Sequence, residues 1–329
     1  MYFDNVSALF LRLNQLGKAR RPCFFLINYE LTEGYLSLAG EDAPDFWATI
    51  QGQSNVALPT PEAFPPPVDP NLTIHPESLE TYARRFDIIQ AGLHHGNSFL
   101  ANLTIRTPID GPLSLQSIFL HSPALYKVCL PHQFVCFSPE RFIAIDAQGR
   151  IAAHPMKGTI DATLPNAAET IMADPKEQAE HATIVDLLRN DLGSVATDVE
   201  VRRYRYMDRI ATAQGAILQV SSEVVGQLPS TWPSQLGDML SALLPAGSIC
   251  GAPKASTVKL IAEAEQISRG YYTGICGHFD GQTLDCGVMI RFIELKDGQY
   301  YFRSGGGITV NSDCRKEYEE VIQKIYLPR

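Results

Sequence analysis

Apolar residues open the chain at helical spacing. Val6, Leu9, Phe10, Leu13 and Leu16 fall on one face, which predicts an amphipathic helix. Cys23 to Ile27 is an unbroken apolar run and reads as a buried strand. The proline-rich stretch from Leu58 to His75 reads as an irregular connector. Helical spacing returns from Pro76 to about Gly92, with Leu79, Tyr82, Phe86, Ile89 and Leu93 on one face and a proline at the start, where its missing N–H costs nothing. Strands are predicted at Ser98–Arg106, Tyr126–Phe137, Phe142–Ile145, Ala216–Val225, Gly287–Leu295 and Tyr300–Ser304. Helices are predicted at about Asp174–Leu188, Ala255–Ala264 and Arg315–Tyr326. The strands come in blocks and do not alternate strictly with helices, which predicts an α+β fold on antiparallel sheet. No repeat or flexible linker interrupts the pattern, so one compact unit is expected.

Composition narrows the function. The chain has 329 residues, 45% hydrophobic and 19% charged, enough for a sizeable core. A net charge of −9 argues against nucleic acid or an anionic membrane as the main partner. The cysteines, Cys23, Cys129, Cys136, Cys250, Cys276, Cys286 and Cys314, are seven and form no C-x-x-C pair, which predicts reduced thiols in a cytoplasmic protein. The N-terminus lacks the form of a signal peptide, and no apolar run is long enough to span a bilayer.

Several constellations could carry chemistry. Glu177 and Glu180 are three apart on a predicted helix, and Glu317 and Glu320 repeat the spacing on the last one. Residues so spaced share a helix face, with Cβ atoms roughly 5–6 Å apart. Four such carboxylates suit a hard divalent cation such as Mg²⁺. On spacing alone, each pair is more simply a solvated acidic face. Ser304-Gly305-Gly306-Gly307 follows a strand, and consecutive glycines let backbone N–H groups approach an anion, although a plain glycine turn has the same composition. The segment Pro245 to Lys254 fails the phosphate-loop spacing because Ala252-Pro253 separates Gly251 from Lys254. Lys157 sits in a constrained Pro155-Met156-Lys157-Gly158-Thr159 turn; as a nucleophile it would need burial or a nearby cation to shed its proton. Gly274 to His278 lacks the second glycine of a glutaminase elbow, and Arg202, Arg203 and Arg205 read as a solvated strand face.

In order along the chain, these segments resemble one family. The residues that carry the likeness are Gly96 to Thr104, Ser138-Pro139-Glu140-Arg141-Phe142, the Pro155–Thr159 turn, and Glu180-His181 through Arg189-Asn190-Asp191-Leu192-Gly193. Gly247 to Lys254, Arg269 to Gly274, Ile290-Arg291 and Gly305 to Glu320 complete it. The chain resembles the chorismate-utilising enzymes: anthranilate synthase component I, aminodeoxychorismate synthase component I, isochorismate synthase and salicylate synthase. The likeness runs from about residue 78 to the C-terminus, with residues 1–77 as a shortened variable part. It implies two large, mostly antiparallel sheets packed together with helices outside. It further implies that Glu180 and Glu320, supported by Glu177 and Glu317, hold Mg²⁺ against the ring carboxylate of chorismate. Arg291 and Tyr272 would grip the enolpyruvyl carboxylate. Gly158, Thr159, Ser248, Gly305, Gly306, Gly307 and Lys324 would line the ring end, and Glu140 would protonate the departing C4 hydroxyl.

Within the family, Lys157 resembles the aminodeoxychorismate branch, where that lysine is thought to attack C2; anthranilate-forming enzymes typically carry alanine there. Leu100 stands where isochorismate and salicylate synthases place a lysine base, and a leucine cannot activate water. It also departs from the glutamine common in the ammonia-using branch, and Gln219 departs from a frequent histidine. No glutaminase triad is visible, so the resemblance implies ammonia delivered by a separate glutamine amidotransferase subunit. No segment beyond Lys324 would carry the product on to p-aminobenzoate, so 4-amino-4-deoxychorismate is the expected product. Anthranilate synthesis and a non-catalytic chorismate-binding role remain the alternatives.

Overall fold

The computed structural model describes residues 1–38, 45–60, 64, 72–212 and 215–328. Most of the proline-rich connector, residues 61–63 and 65–71, lies outside them. The described strands form two sheets of ten and nine strands, and the pairings within them are antiparallel. The larger runs Tyr2–Phe3, Gly34–Leu38, Cys23–Ile27, Ile275–Phe279, Leu284–Val288, Arg141–Ile145, Arg150–Ala153, Gly215–Gln227, Met156–Asp161, with Thr197–Thr212 also paired to Gly215–Gln227. The smaller runs Gly251–Ala252, Leu100–Asp110, Gln299–Ile308, Phe292–Lys296, Phe134–Ser138, Tyr126–Leu130, Trp47–Ile50, Gln53–Ser54, with Thr73–Ile74 against Leu100–Asp110.

Side-chain alternation explains the layering. In Cys23–Ile27, Phe24 and Leu26 pack with Tyr126, Val128, Phe134 and Phe292 of the other sheet, which seals the sheets face to face. Cys23, Phe25 and Ile27 point the other way, into a cluster with Leu9 and Leu13 of the Val6–Lys18 helix. The strand is therefore buried on both faces, as an unbroken apolar run requires. Leu103 and Ile105 of the smaller sheet meet Tyr82, Phe86 and Ile89 of the Leu79–His94 helix. The result is the expected α+β architecture of two antiparallel sheets with outer helices. Strands from the first 77 residues lie in both sheets. No helix among the described residues is long and apolar enough to cross a membrane.

The structure moves some expected boundaries. The Tyr126–Phe137 run is two strands, because His132 takes a left-handed conformation (φ 70°) and Gln133 N–H closes a turn on Leu130 O at 3.0 Å. The helix expected at Pro76 starts at Leu79, because Ser78 caps it by accepting from Thr81 N–H at 3.2 Å. The Gly287–Leu295 run breaks over residues 289–291, where Arg291 has φ 55°. Ser304–Gly307 is not a turn: Gln299–Ile308 is one strand, with Gly305, Gly306 and Gly307 opposite Thr104, Leu103 and Asn102. A Cβ on Gly305 would stand 2.8 Å from Thr104 Cγ2 and 2.9 Å from Leu103 O, so close strand contact accounts for glycine there.

The helix that carries the first glutamate pair, Pro175–Gly193, is set by its start. Asp174 caps it, accepting from Glu177 N–H at 3.0 Å, and Pro175 takes the first turn. Asp174→Ala is expected to cost about 1 kcal/mol, since it orphans that donor. Thermal unfolding followed by circular dichroism should show a midpoint lower by about 1–2 °C. An unchanged midpoint would mean that the cap contributes nothing.

Candidate active site

The ends of both sheets and two helices converge on a cleft of about 120 Å³. Leu100, Asn102, Gly307 and Thr309 line it from the smaller sheet, and Glu140 to Phe142 and His154 to Lys157 from the larger. Glu180, Thr183, Ile184 and Leu188 come from the Pro175–Gly193 helix, and Ser248 from the short Gly247–Cys250 helix. Five of the expected site residues, Glu140, Lys157, Glu180, Ser248 and Gly307, therefore share one space.

Glu140 is held at the end of a strand by its backbone: its N–H donates to Ser138 Oγ at 3.1 Å, and its carbonyl accepts from Val288 N–H at 3.0 Å. The Ser248 hydroxyl donates to Glu140 Oε1 at 2.9 Å. Burial pushes the Glu140 carboxyl above its usual range, and Ser248, Arg291 and Lys324 offset this only in part. The segment bearing Ser248 is anchored by Lys254, which pairs with Asp191 at 2.9 Å and donates to Leu243 O at 2.6 Å.

The four glutamates meet across two helices, Pro175–Gly193 and Cys314–Gln323. Lys157 Nζ lies 2.7 Å from Glu180 Oε2. Burial pulls the Lys157 ammonium down, but Glu180, Glu320 and Glu177 together raise it above its ordinary value. Lys176 Nζ stands 3.7 Å from Glu180 and 3.8 Å from Glu317, linking the two pairs. The sequence motifs did not name Lys176, and its reach to Glu317 joins two helices distant in sequence. Lys324 pairs with Glu320 at 2.7 Å and donates to Gly305 O at 2.8 Å. The neighbouring strand, Phe292–Lys296, ends opposite Arg303, so the glycine segment has an open flank there. A residue's N–H and C=O point to one side of a strand, so Gly305, and Gly307 two residues on, turn theirs toward this flank.

Burial raises both Glu177 and Glu317, with like charges from Glu180 and Glu320 respectively adding to it. Glu320 is instead lowered: burial opposes ionisation, and Lys324 overrides it. Among the described residues, no group of three metal-ligating side chains is close enough to hold an ion as the side chains stand. The donor set nevertheless fits a hard cation. It consists of carboxylate oxygens, three ammonium groups (Lys157, Lys176 and Lys324) stand among them, and the buried Glu177 Oε2 has no hydrogen-bond partner among the described residues.

The remaining expected residues sit further out. Thr159 Oγ1 donates to Gln219 Oε1 at 2.8 Å, and Gln219 Nε2 donates to Gly158 O at 2.8 Å. Arg291 Nε donates to Tyr326 OH at 2.8 Å. Tyr272 is buried against Phe292, its hydroxyl pushed up to about 12 by burial. Neither Arg291 nor Tyr272 lines the cleft. Asn102, His154 and Thr309 do; they lie in or beside the motif segments, which assigned them no role.

A family model described as chorismate binding enzyme matches residues 18–328. The chain belongs to that family. It is 48% identical over 316 residues to an uncharacterized PabA-like protein of Haemophilus influenzae, covering 96% of this chain and 94% of that one. It is 30% identical to anthranilate synthase component 1 of Saccharomyces cerevisiae, over 98% of this chain and 64% of the yeast protein. Aminodeoxychorismate synthase component 1 of Bacillus subtilis is 29% identical, over 76% of this chain and 55% of its own length. Among solved structures, the menaquinone-specific isochorismate synthase of Escherichia coli superposes with a TM-score of 0.74 over 98% of this chain and 82% of that one. At 16% identity, that likeness speaks for the fold alone.

Proposed function

We propose that this member of the family is an aminodeoxychorismate synthase component I, which converts chorismate and ammonia to 4-amino-4-deoxychorismate. The observation that carries the reading is Lys157, an amine that lines the same cleft as Glu140, Ser248, Leu100 and Gly307. The neutral Lys157 amine attacks C2 of chorismate, both conjugated ring double bonds shift, and the C4 hydroxyl leaves as water with the proton of Glu140. Ammonia then forms the C–N bond at C4, the double bonds shift back, the C2–Nζ bond breaks to release the neutral amine, and the new C4 ammonium returns a proton to the Glu140 carboxylate. Ammonia comes from a separate glutamine amidotransferase subunit.

Each role has a physical basis. Burial keeps Glu140 protonated at a higher pH than a solvated carboxyl, and Ser248 on Oε1 leaves Oε2 to carry the proton. The open flank of the glycine strand offers backbone N–H groups to the substrate, and Arg291 supplies a charge for its enolpyruvyl carboxylate. Lys324 braces this wall through Gly305 O, and Gly158 and Thr159 continue the strand that carries Lys157. When bound at Glu177, Glu180, Glu317 and Glu320, Mg²⁺ would neutralise the ring carboxylate and remove the carboxylate charge that keeps Lys157 protonated.

Glu140→Gln is expected to lower kcat by about 10²-fold, the usual weight of a general acid. The sign of the pH effect follows from the raised carboxyl. Activity needs the protonated form and is lost as pH rises through the Glu140 value, so the variant's residual rate should lack that falling limb. A pH–rate profile that keeps the limb would assign it to another group.

The yeast relative favours a second reading, anthranilate synthesis. The product of ammonium-dependent turnover separates the two.

A further inference from the structure

The strand that bears Lys157, Met156–Asp161, pairs with Gly215–Gln227, and the register breaks at the lysine. Met156 lies opposite Ser221 and Thr159 opposite Gln219, so Lys157 and Gly158 together face one residue, Val220. This is a β-bulge, which re-aims a side chain and interrupts the ladder's hydrogen bonds. Gly158 has φ 95°, a conformation that glycine adopts without penalty.

Side chains occupy the interrupted ladder. On one side, the Gln219 amide grips two consecutive residues: its Nε2 donates to Gly158 O, and its Oε1 accepts from Thr159 Oγ1, both at 2.8 Å. On the other side, His181, fully buried, reaches Lys157 O with Nδ1 at 3.3 Å and Ser222 Oγ with Nε2 at 2.7 Å. A carbonyl only accepts, so Nδ1 carries the hydrogen and Nε2 accepts from the Ser222 hydroxyl. Ser222 Oγ in turn accepts from Arg205 N–H at 2.9 Å. Three successive residues of the bulge, 157 to 159, are thus tied to groups outside it.

We infer that Gln219 and His181 are positioning residues that clamp this bulge and aim Lys157 into the cleft. The mechanistic meaning rests on the reading of Lys157 as nucleophile; the clamp itself does not. The choice of glutamine follows from geometry. A terminal amide presents a donor and an acceptor side by side, whereas an imidazole's two nitrogens diverge from the ring and cannot serve both Gly158 O and Thr159 Oγ1. Gln219 therefore does something that a histidine at this position could not, and it holds the turn that carries Lys157.

The test compares wild type, Gln219→Leu and Gln219→His by competitive acetylation with acetic anhydride, reading each lysine by peptide mass spectrometry. Lys254, equally paired with a carboxylate and away from the bulge, is the internal reference. Loosening the bulge should free Lys157 from Glu180 and raise its labelling several-fold relative to Lys254 in Gln219→Leu, with Gln219→His in between. Turnover of Gln219→Leu should fall by about tenfold or more in kcat with little change in the KM for chorismate, because misplacement of about 1 Å can cost 10²-fold in rate. Should Gln219→Leu fail to fold, Gln219→His, which keeps a polar ring, decides. Relative labelling of Lys157 unchanged in the folded variants would overturn the clamp. The labelling arm stands whether or not Lys157 is the nucleophile; full turnover by Lys157→Ala would count against that role alone.

Discussion

Lys157→Ala should lower the rate of 4-amino-4-deoxychorismate formation by about 10³-fold, a loss of roughly 4 kcal/mol of transition-state stabilisation. The expectation is large because no other described residue of the cleft can replace the attack. Lys157 is its only amine among the lining residues, Leu100 on the facing strand is inert, and the arginine there, Arg141, is tied to Asp285 at 3.0 Å. Collapse of the site is not the cause. The Lys157 side chain is 35% exposed, and Lys176 remains near Glu180 when it is removed. A direct check is the intact mass of the wild-type protein after incubation with chorismate and Mg²⁺ but no ammonia. A gain equal to chorismate less one water should appear on the peptide that contains Lys157 and be absent from the variant. Turnover within a few-fold of wild type would remove the covalent step.

Glu320→Gln should abolish most of the Mg²⁺-dependent rate, by about 10³-fold, while the residual activity makes the same product. Glu320 is the one member of the quartet whose carboxyl is held below its usual range, by Lys324, so it is the ready anionic ligand. Glu177 and Glu317 are raised and hold protons more tightly than in the unfolded chain. The stability that this uptake contributes is present at low pH and is lost as pH rises through their raised values. An ion that replaces those protons should therefore stabilise the protein more at mildly alkaline than at mildly acidic pH. At about 100 times its Kd, Mg²⁺ should add about 2.7 kcal/mol to wild type. Thermal unfolding with and without Mg²⁺ at both pH values measures this. A variant still stabilised to the wild-type extent at the same Mg²⁺ concentration would exclude Glu320 from the metal site.

Where side chains repeat a burial pattern, the sequence announced the fold. The Val6–Lys18 and Leu79–His94 helices, and the strand from Cys23 to Ile27, all followed from the spacing of their apolar residues. Elements set by tertiary partners were harder to read. Gly305 to Gly307 carry no side chains and no strand preference, yet they lie in a strand because Leu103 and its neighbours supply the pairing edge. The long strand Thr197–Thr212 was suggested only by its arginines, because its outer face is polar and its bulges break the alternation. The break at Arg291 was hidden in an apolar run, since a left-handed residue leaves no mark on hydropathy.

The candidate site divides the same way. The motifs named Glu140, Lys157, Glu180 and Ser248, and the fold brings them to one cleft. No spacing rule could carry Lys176 to Glu317, or bring His181 and Gln219 to the Lys157 bulge, because each of these links joins segments distant in sequence.

The central claim is that this cleft, with an amine at position 157, directs nitrogen to C4 of chorismate. The most direct measurement is the product formed from chorismate, Mg²⁺ and ammonium at alkaline pH, separated by liquid chromatography and identified by mass and ultraviolet spectrum. The account predicts 4-amino-4-deoxychorismate as the main product. Anthranilate as the main product would contradict it.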